Sequence, residues 1–236
     1  AKMSLPAQPN HKTGLVVQHI SGGYGDTLVL RGVSFSLGQG QVLGIVGRNG
    51  VGKTSLLRLI TGHLPIAGGT VSWQGRRMGK APAYVNRDLG ISYAPQEAVV
   101  FDALTVSENL NLRQRNLDAC QAFFYSFPLV RQRRNQKSGV LSGGEKKLVS
   151  FVRVMAEGAD LTVMDEPTEG VQQENIALMA AHVRQRCEQG ASFIIAEQNL
   201  TFLLSVMHQV LVLDNGETVF QSDAFDREGL EQFLRI

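Results

Sequence analysis

The chain has 236 residues, of which 43% are hydrophobic, and a formal net charge of +2. This length suits one α/β domain with an inserted helical segment rather than two independent cores, and the near-neutral charge gives no strong drive toward nucleic acid. The 2 cysteines are too few for a disulfide framework or a zinc site, and no apolar run approaches the ~20 residues that span a bilayer.

The first predicted elements are β-strands. Residues 1–13 combine prolines with polar neighbours and are expected to form a flexible tail. Hydrophobic patterning then predicts strands at Leu15–Ile20, Leu28–Leu37 and Thr70–Trp73. Between the first two strands, Tyr24 lies among glycines in a stretch that predicts a loop. The N-terminal part of the chain is therefore predicted to be β-rich.

A phosphate-binding loop is predicted between a buried strand at residues 42–46 and the helix that follows. Residues 47–54 fit the pattern G-x-x-x-x-G-K-S/T without a mismatch. We expect the loop N–H groups to contact phosphate oxygens, Lys53 to reach the β- and γ-phosphates, and Thr54 to ligate Mg²⁺. A chance match in a glycine-rich turn is the alternative, which the flanking strand and helix disfavour. The predicted nucleotide-binding residues here are Gly47, Arg48, Asn49, Gly50, Val51, Gly52, Lys53, Thr54 and Ser55.

Helices are predicted next, after a strand near Gly90–Tyr93. Residues 97–138 lack the alternation that is typical of strands. Thr105 as a cap, with Glu108 three residues later, forms a capping box and predicts a helix start. The basic cluster at residues 131–137 is short and has no interleaved aromatic residues, which favours a solvated face over a phosphate-binding patch.

Strands and helices alternate from residue 161 to residue 213, which predicts a parallel sheet with helices on its faces. Leu161–Met164 is an apolar run typical of a central strand. Asp165 ends this strand, where a carboxylate can hold Mg²⁺ beside Thr54. An ordinary strand-terminating turn is the alternative for Asp165-Glu166-Pro167 alone, and its combination with the phosphate-binding loop makes that alternative improbable.

The segment Leu141-Ser142-Gly143-Gly144-Glu145 lies between these two motifs. A phosphate-binding loop, L-S-G-G-E and an apolar run ending in Asp-Glu resemble, in this order, the ATP-binding-cassette (ABC) ATPases over about residues 15–216. The resemblance implies a single ABC ATPase domain at residues 14–236 with an α/β P-loop NTPase fold. Such a domain has a central parallel sheet with helices, an N-terminal antiparallel β subdomain and an inserted α-helical subdomain, here at approximately residues 97–150.

The resemblance also implies roles for single residues. Glu166 would polarise the attacking water, within hydrogen-bond reach as a general base requires. Gln96 would sense the γ-phosphate through contacts with Mg²⁺ and water, and Tyr24 would stack on adenine. Ser142–Gly144 would close over the ATP of a partner domain, because a hydroxyl and a helix N-terminus form an anion-binding surface. Dimerisation is therefore implied by the site.

The chain departs from the family pattern at three places. Gln198 takes the position of the usual histidine; its amide can donate a hydrogen bond but cannot carry charge, which puts its catalytic role in doubt. The loop at residues 168–173 lacks the usual Leu-Asp. Lys146 and Lys147 replace glutamines, and we interpret them as neutral changes on an exposed helix face. The segments Glu-Pro-Thr-Glu-Gly-Val-Gln and Ala-Glu-Gln-Asn resemble the ATPases of bacterial branched-chain amino-acid importers and their urea and amide relatives.

The resemblance implies an ATP-hydrolysing transport subunit that uses ATP and Mg²⁺ at the cytoplasmic face of the inner membrane. Its expected partners are transmembrane permease subunits, a second ATP-binding subunit in a homodimer or heterodimer, and indirectly a periplasmic solute-binding protein, with no nucleic acid. The apolar residues 98–101 after Gln96 would either dock a permease helix or be buried in the helical subdomain.

Two alternatives stay open. Because of Gln198, the chain could be a regulatory subunit that binds ATP but hydrolyses it slowly beside a more active ATPase. A soluble ABC ATPase that works on nucleic acid or ribosomes is disfavoured by the single cassette and the lack of a strong basic stripe.

Overall fold

A six-stranded sheet forms the centre of the computed structural model, which describes residues 14–78, 88–97, 100–112, 121, 123–223 and 227–234. Its strands are β3 (Val42–Val46), β6 (Ile91–Ala94), β7 (Leu161–Asp165), β8 (Ser192–Ala196), β9 (Gln209–Asp214) and β10 (Glu217–Ser222). Their order is β10-β9-β3-β8-β7-β6, and all neighbours are parallel except β9 and β10. The inner strands β3, β7 and β8 are buried along their whole length, as expected where both faces are covered.

A second, antiparallel sheet is formed by the N-terminal strands. These are β1 (Leu15–Tyr24), β2 (Thr27–Leu37), β4 (Ile66–Trp73) and β5 (Arg76–Met78), in the order β2-β1-β4-β5. The loop predicted around Tyr24 is wrong, because β1 continues past Ile20 to that residue. Register shifts between Val17 and Gly23 break the alternation of buried and exposed residues on which strand prediction relies. The sequence therefore predicts only the first half of this strand.

The helices contribute to two apolar cores, which lie on opposite faces of the central sheet. They are α1 (Lys53–Ile60), α2 (Val106–Asn111), α3 (Pro128–Arg133), α4 (Gly143–Ala156), α5 (Gln173–Glu188), α6 (Leu200–Val206) and α7 (Arg227–Leu234). Helix α1 packs between the antiparallel sheet and one face of the central sheet, and α4, α5 and α6 pack on the opposite face. None of the helices within the described ranges is both long and apolar enough to cross a membrane.

The predicted capping box at the start of α2 is confirmed. The hydroxyl of Thr105 accepts from the N–H of Glu108 at 3.2 Å, and Oε2 of Glu108 accepts from the N–H of Thr105 at 2.7 Å. The tail at residues 1–13, together with Ala98, Val99 and Cys120, lies outside the described residues.

The register of the central sheet aligns the carboxyl ends of its strands. Ile45 on β3 pairs with Ala196 on β8, which pairs with Asp165 on β7, and Met164 pairs with Ala94 on β6. The loops after these four strands therefore leave the same edge of the sheet, where open α/β sheets bind their ligands.

Candidate active site

The loop after β3 forms an anion-binding surface at the start of α1. Gly52 adopts a left-handed conformation with φ of 110°, and among the described residues no side chain caps the helix that follows. The free N–H groups of that first turn can therefore bind phosphate oxygens. Gly47 must be glycine, because a Cβ there would lie 2.5 Å from the carbonyl oxygen of Leu213.

Lys53 folds back over this loop. Its Nζ donates to the carbonyl oxygen of Gly47 at 2.7 Å and to that of Arg48 at 3.0 Å. Burial lowers the pKa of Lys53, and the nearby carboxylates of Glu166 and Asp165 act in the opposite direction. The ammonium group thus lies between the loop backbone and the acidic groups at the ends of the neighbouring strands.

Asp165 has the environment of a cation ligand. Its side chain is 2% exposed, and neither carboxylate oxygen has a hydrogen-bond partner within the described part of the chain. Burial raises the pKa of Asp165, while the nearby hydroxyl of Thr54, which lies outside regular hydrogen-bond geometry, and the ammonium groups of Lys147 and Lys53 lower it. Buried carboxylates are normally paired, so this one fits a site for a hard cation. The described residues contain no cluster of three or more His, Cys, Asp or Glu that could hold a metal ion.

The structure brings the three predicted catalytic residues together. Oε2 of Glu166 accepts from Nε2 of Gln96 at 2.9 Å, and Oε1 accepts from Nε2 of Gln198 at 3.0 Å. Glu166 has a left-handed φ of 47° and is held by a bond from its N–H to the carbonyl of Ala196 at 2.8 Å. Nε2 of Gln198 also donates to Oδ1 of Asn49 at 2.8 Å. One amide therefore bridges the phosphate-binding loop and the glutamate.

Sequence patterning missed the buried carboxylate of Glu197. Its Oε1 accepts from the N–H and the hydroxyl of Thr168 at 2.7 and 2.5 Å, and its Oε2 accepts from the N–H groups of Gln198 and Asn199 at 2.8 and 3.1 Å. Glu197 thus ties the loop after β7 to the loop after β8. An acidic residue directly after an apolar strand was the available signal.

Lys147 contradicts the interpretation of both lysines as neutral changes on an exposed face. It is only 9% exposed, its Nζ donates to the carbonyl oxygen of Glu166 at 3.0 Å, and it lies 3.4 Å from Oε2 of Glu169. The reason is helical geometry, since Lys147 lies one turn before the buried Phe151 on the same face of α4. Lys146, one position away, is partly exposed and pairs with Asp102 at 2.7 Å.

Tyr24 lies at the end of β1 and is 45% exposed. Its hydroxyl oxygen accepts from Nη1 of Arg58 at 3.0 Å. Because Arg58 is on α1, the ring is attached to the helix that begins at the phosphate-binding loop.

The L-S-G-G-E segment lies outside this cluster. Ser142 caps α4, accepting from the N–H of Glu145 at 3.2 Å. Ser142 and Gly144 line a cleft with Gly170 and Gln172. A different cleft is lined by the phosphate-binding loop and Gln198, and the segment does not contribute to it.

Two features predicted from the sequence, the basic cluster and the apolar stretch after Gln96, lie away from this site. The basic cluster at residues 131–137 is mainly exposed, as expected for a solvated face. Arg133 lies 3.6 Å from Glu145. In the apolar stretch after Gln96, Phe101 is 61% exposed, whereas Val100 packs against the core.

Comparison with known proteins places this site in a family context. The family described as ABC transporter matches residues 30–169. A probable branched-chain amino acid transport ATP-binding protein LivF of Archaeoglobus fulgidus is 27% identical, with 92% of this chain and 95% of that protein covered. The high-affinity branched-chain amino acid transport ATP-binding protein BraG of Pseudomonas aeruginosa is 28% identical, with 83% and 87% covered.

Solved structures agree with the sequence comparison. A nucleotide-free ATP-binding cassette from an ABC transporter has a TM-score of 0.79 and 25% identity, with 93% of this chain and 94% of that chain covered. The ADP conformation of another ABC transporter cassette has a TM-score of 0.76 and 26% identity, with 94% of each chain covered. The predicted fold class is confirmed.

Proposed function

The chain belongs to the ABC transporter family, whose ATP-binding domains bind and hydrolyse ATP, and we propose that it is the ATPase subunit of a bacterial importer in which Glu166 is the general base. One observation carries this proposal. The carboxylate of Glu166 is held between the amides of Gln96 and Gln198, beside the carboxyl end of the strand that bears Asp165. Two fixed donors orient the carboxylate, and its remaining lone pairs can accept from a water molecule aimed at the γ-phosphate.

The neighbouring residues would bind the substrate. Residues 47–55 would hold the phosphates through backbone N–H groups, and Lys53 would exchange its contacts with loop carbonyls for phosphate oxygens. Tyr24 would stack on adenine. Thr54, Asp165 and Gln96 would hold Mg²⁺, which neutralises charge on the phosphates when bound.

A second ATP-binding subunit would complete the site. Ser142 and Gly143 are exposed at the N-terminus of α4, apart from the cleft that the chain's own phosphate-binding loop lines. In a head-to-tail pair, this helix start could face the γ-phosphate bound by the partner. The partner is a second copy of this chain or a related ATPase.

We further propose import of branched-chain amino acids, or of related urea or amide substrates, at the cytoplasmic face of the inner membrane. The segments at residues 166–172 and 196–199 and the names of the LivF and BraG relatives support this class. Permease subunits would bind the cassette, with the exposed Phe101 as one candidate contact, and a periplasmic solute-binding protein would act indirectly.

Hydrolysis of ATP by the purified chain tests the enzymatic part. We expect Mg²⁺-dependent turnover, which Glu166→Gln abolishes while ATP stays bound, and loss of nucleotide binding in Lys53→Ala. Glu188→Gln, at an exposed position at the end of α5, is the matched control for removal of one carboxylate. Equal turnover by wild type and Glu166→Gln would overturn the assignment of the base.

Uptake by vesicles that contain the chain with its permease tests the transport part. Labelled leucine and labelled urea distinguish the two substrate classes, and a Glu166→Gln complex is the control. ATP-dependent efflux, without ATP-dependent uptake of either solute, would contradict import.

Gln198 supports a second candidate function, that of a regulatory subunit which binds ATP but hydrolyses it slowly. Its amide donates to Glu166 and Asn49 but cannot accept or release a proton at neutral pH. Tight ATP binding, with wild-type turnover no faster than that of Glu166→Gln even beside the permease and a second ATPase, would establish that role.

A further inference from the structure

Lys147 places a charged side chain against the loop after β7, residues 166–172, which we call the glutamate loop. We propose that Lys147 is a positioning residue, which fixes the backbone of Glu166 and attaches it to helix α4. This inference rests on the proposed role of Glu166 as general base.

The backbone of Glu166 is held at both ends of the residue. Its N–H donates to the carbonyl of Ala196 at 2.8 Å, and its carbonyl oxygen accepts from Nζ of Lys147 at 3.0 Å. The residue has a left-handed φ of 47°. Residues other than glycine rarely adopt this backbone conformation unless their surroundings hold them in it. With both backbone groups bound, the direction in which the side chain leaves the backbone is set, and the amides of Gln96 and Gln198 then fix the carboxylate.

The charge of Lys147 is unexpected for a packing residue. Desolvating an ammonium group is costly unless it finds partners, and a neutral side chain of similar length would fill the same space without that cost. Here the carbonyl of Glu166 and the carboxylate of Glu169, at 3.4 Å, supply those partners. Both belong to the loop that carries the proposed base, so the charge is directed at that loop.

Helix α4 makes a second contact with the same loop, one turn earlier. A Cβ on Gly144 would lie less than 2.5 Å from the carbonyl oxygen of Gly170, so the two backbones are in direct contact. Gly144 and Lys147 are three positions apart and therefore share a face of the helix. The N-terminal part of α4, which the exposed Ser142 caps, is thus joined to the glutamate loop at two points, and a displacement of this part of the helix would move Glu166 with it.

Lys147→Met removes the donor and keeps the length of the side chain. We expect kcat for ATP hydrolysis to fall by roughly 10- to 100-fold, as for loss of one hydrogen bond to a charged group. The ATP dissociation constant should stay within about twofold of wild type, because no nucleotide contact is removed. Lys146→Met is the matched control: it removes the same charge from the adjacent position, whose partner is Asp102. Equal kcat values for the two variants would overturn the proposal.

Lys147→Gln separates positioning from mere support of the fold. Its neutral amide can donate to the carbonyl of Glu166 but cannot form the ion pair with Glu169, so we expect intermediate kcat. This variant and Glu169→Gln carry the test if Lys147→Met does not fold. A loss of kcat in Lys147→Gln as large as that in Lys147→Met would argue against positioning through this bond.

A double variant distinguishes failure of this inference from failure of the proposed function. If Lys147 acts through Glu166, Lys147→Met should leave the residual turnover of Glu166→Gln unchanged. A further drop would show that Lys147 acts elsewhere. If Glu166→Gln alone hydrolyses ATP like wild type, the proposed function fails first.

Discussion

The side-chain amide of Gln198 uses both of its N–H bonds within the site, one to Oε1 of Glu166 at 3.0 Å and one to Oδ1 of Asn49 at 2.8 Å. It therefore holds the glutamate against the phosphate-binding loop. An imidazole presents one ring nitrogen in a given direction and can replace only one of these bonds. The amide is thus suited to orientation rather than to proton transfer.

Gln198→Leu should lower kcat by roughly 10- to 100-fold, because a donor to a charged group is lost while side-chain volume is kept. Gln198→His should retain more activity, since one donor remains. Steady-state ATP hydrolysis measures both, with Gln189→Leu at the exposed end of α5 as the control. Turnover of Gln198→Leu equal to that of the control would show that the amide does not orient the base.

Asp165 should limit the stability of the nucleotide-free protein. Its buried carboxylate has no hydrogen-bond partner among the described residues, and burial raises its pKa. Since the pKa in the folded state lies above that in the unfolded state, the group favours folding below the unfolded value and loses that contribution as pH rises through the folded value. At neutral pH without Mg²⁺, Asp165→Asn should therefore be more stable than wild type, by about 1–3 kcal/mol.

Thermal unfolding in the presence of a chelator measures this difference, and the gap between the two proteins should shrink as the pH is lowered. In the same Asp165→Asn variant, Mg²⁺-dependent hydrolysis should be strongly reduced, because an amide is a weaker ligand for a hard cation. A variant that is less stable than wild type at neutral pH without Mg²⁺ would contradict a net destabilising effect of the buried charge at Asp165.

The parts of the site that could be predicted from sequence are those whose functional residues directly follow a strand in the chain. Gly47 to Thr54 and the pair Asp165-Glu166 combine a strand end with a local motif, and their positions follow from the patterning. Lys147 and Glu197 differ, because their partners lie 19 and 29 residues away in the sequence. Only the packing of α4 and the register of β7 against β8 bring these pairs together, and no local pattern records such contacts.

The strands of the fold also differ in how well the sequence predicts them. The buried strands of the parallel sheet were predicted from apolar runs, because burial on both faces leaves a strong compositional signal. The edge strand β10 was not predicted, since its residues are at least partly exposed throughout. In β1, register shifts between Ile20 and Gly23 interrupt the alternation, and Tyr24 was predicted to lie in a loop as a result.

Glu197→Gln should destabilise the protein although it changes only one atom of the side chain. The carboxylate accepts four hydrogen bonds, two from Thr168 and two from the N–H groups of Gln198 and Asn199. An amide must turn an NH₂ group toward some of these donors, leaving buried groups unpaired, and we expect a loss of about 2–3 kcal/mol in the free energy of unfolding. Chemical denaturation measures it, with the exposed Glu188→Gln as control. An unchanged unfolding midpoint would show that the four bonds are replaceable.

The hydrogen bond between Arg58 and Tyr24 should tune the affinity for ATP. Nη1 of Arg58 donates to the Tyr24 hydroxyl at 3.0 Å, which attaches the exposed ring to the helix that begins at the phosphate-binding loop. Tyr24→Phe keeps the stacking face and loses this attachment, so we expect ATP binding to weaken by about two- to tenfold, the net effect of one solvent-exposed hydrogen bond. Tyr24→Ala should weaken it further, because the face itself is lost.

Titration of a fluorescent ATP analogue measures these affinities, and a double-variant cycle identifies the bond as their cause. Arg58→Met should weaken binding about as much as Tyr24→Phe. The double variant should be no weaker than either single one, because both remove the same interaction. Additive losses would mean that Arg58 and Tyr24 act on the nucleotide separately, in which case the ring needs no support from α1.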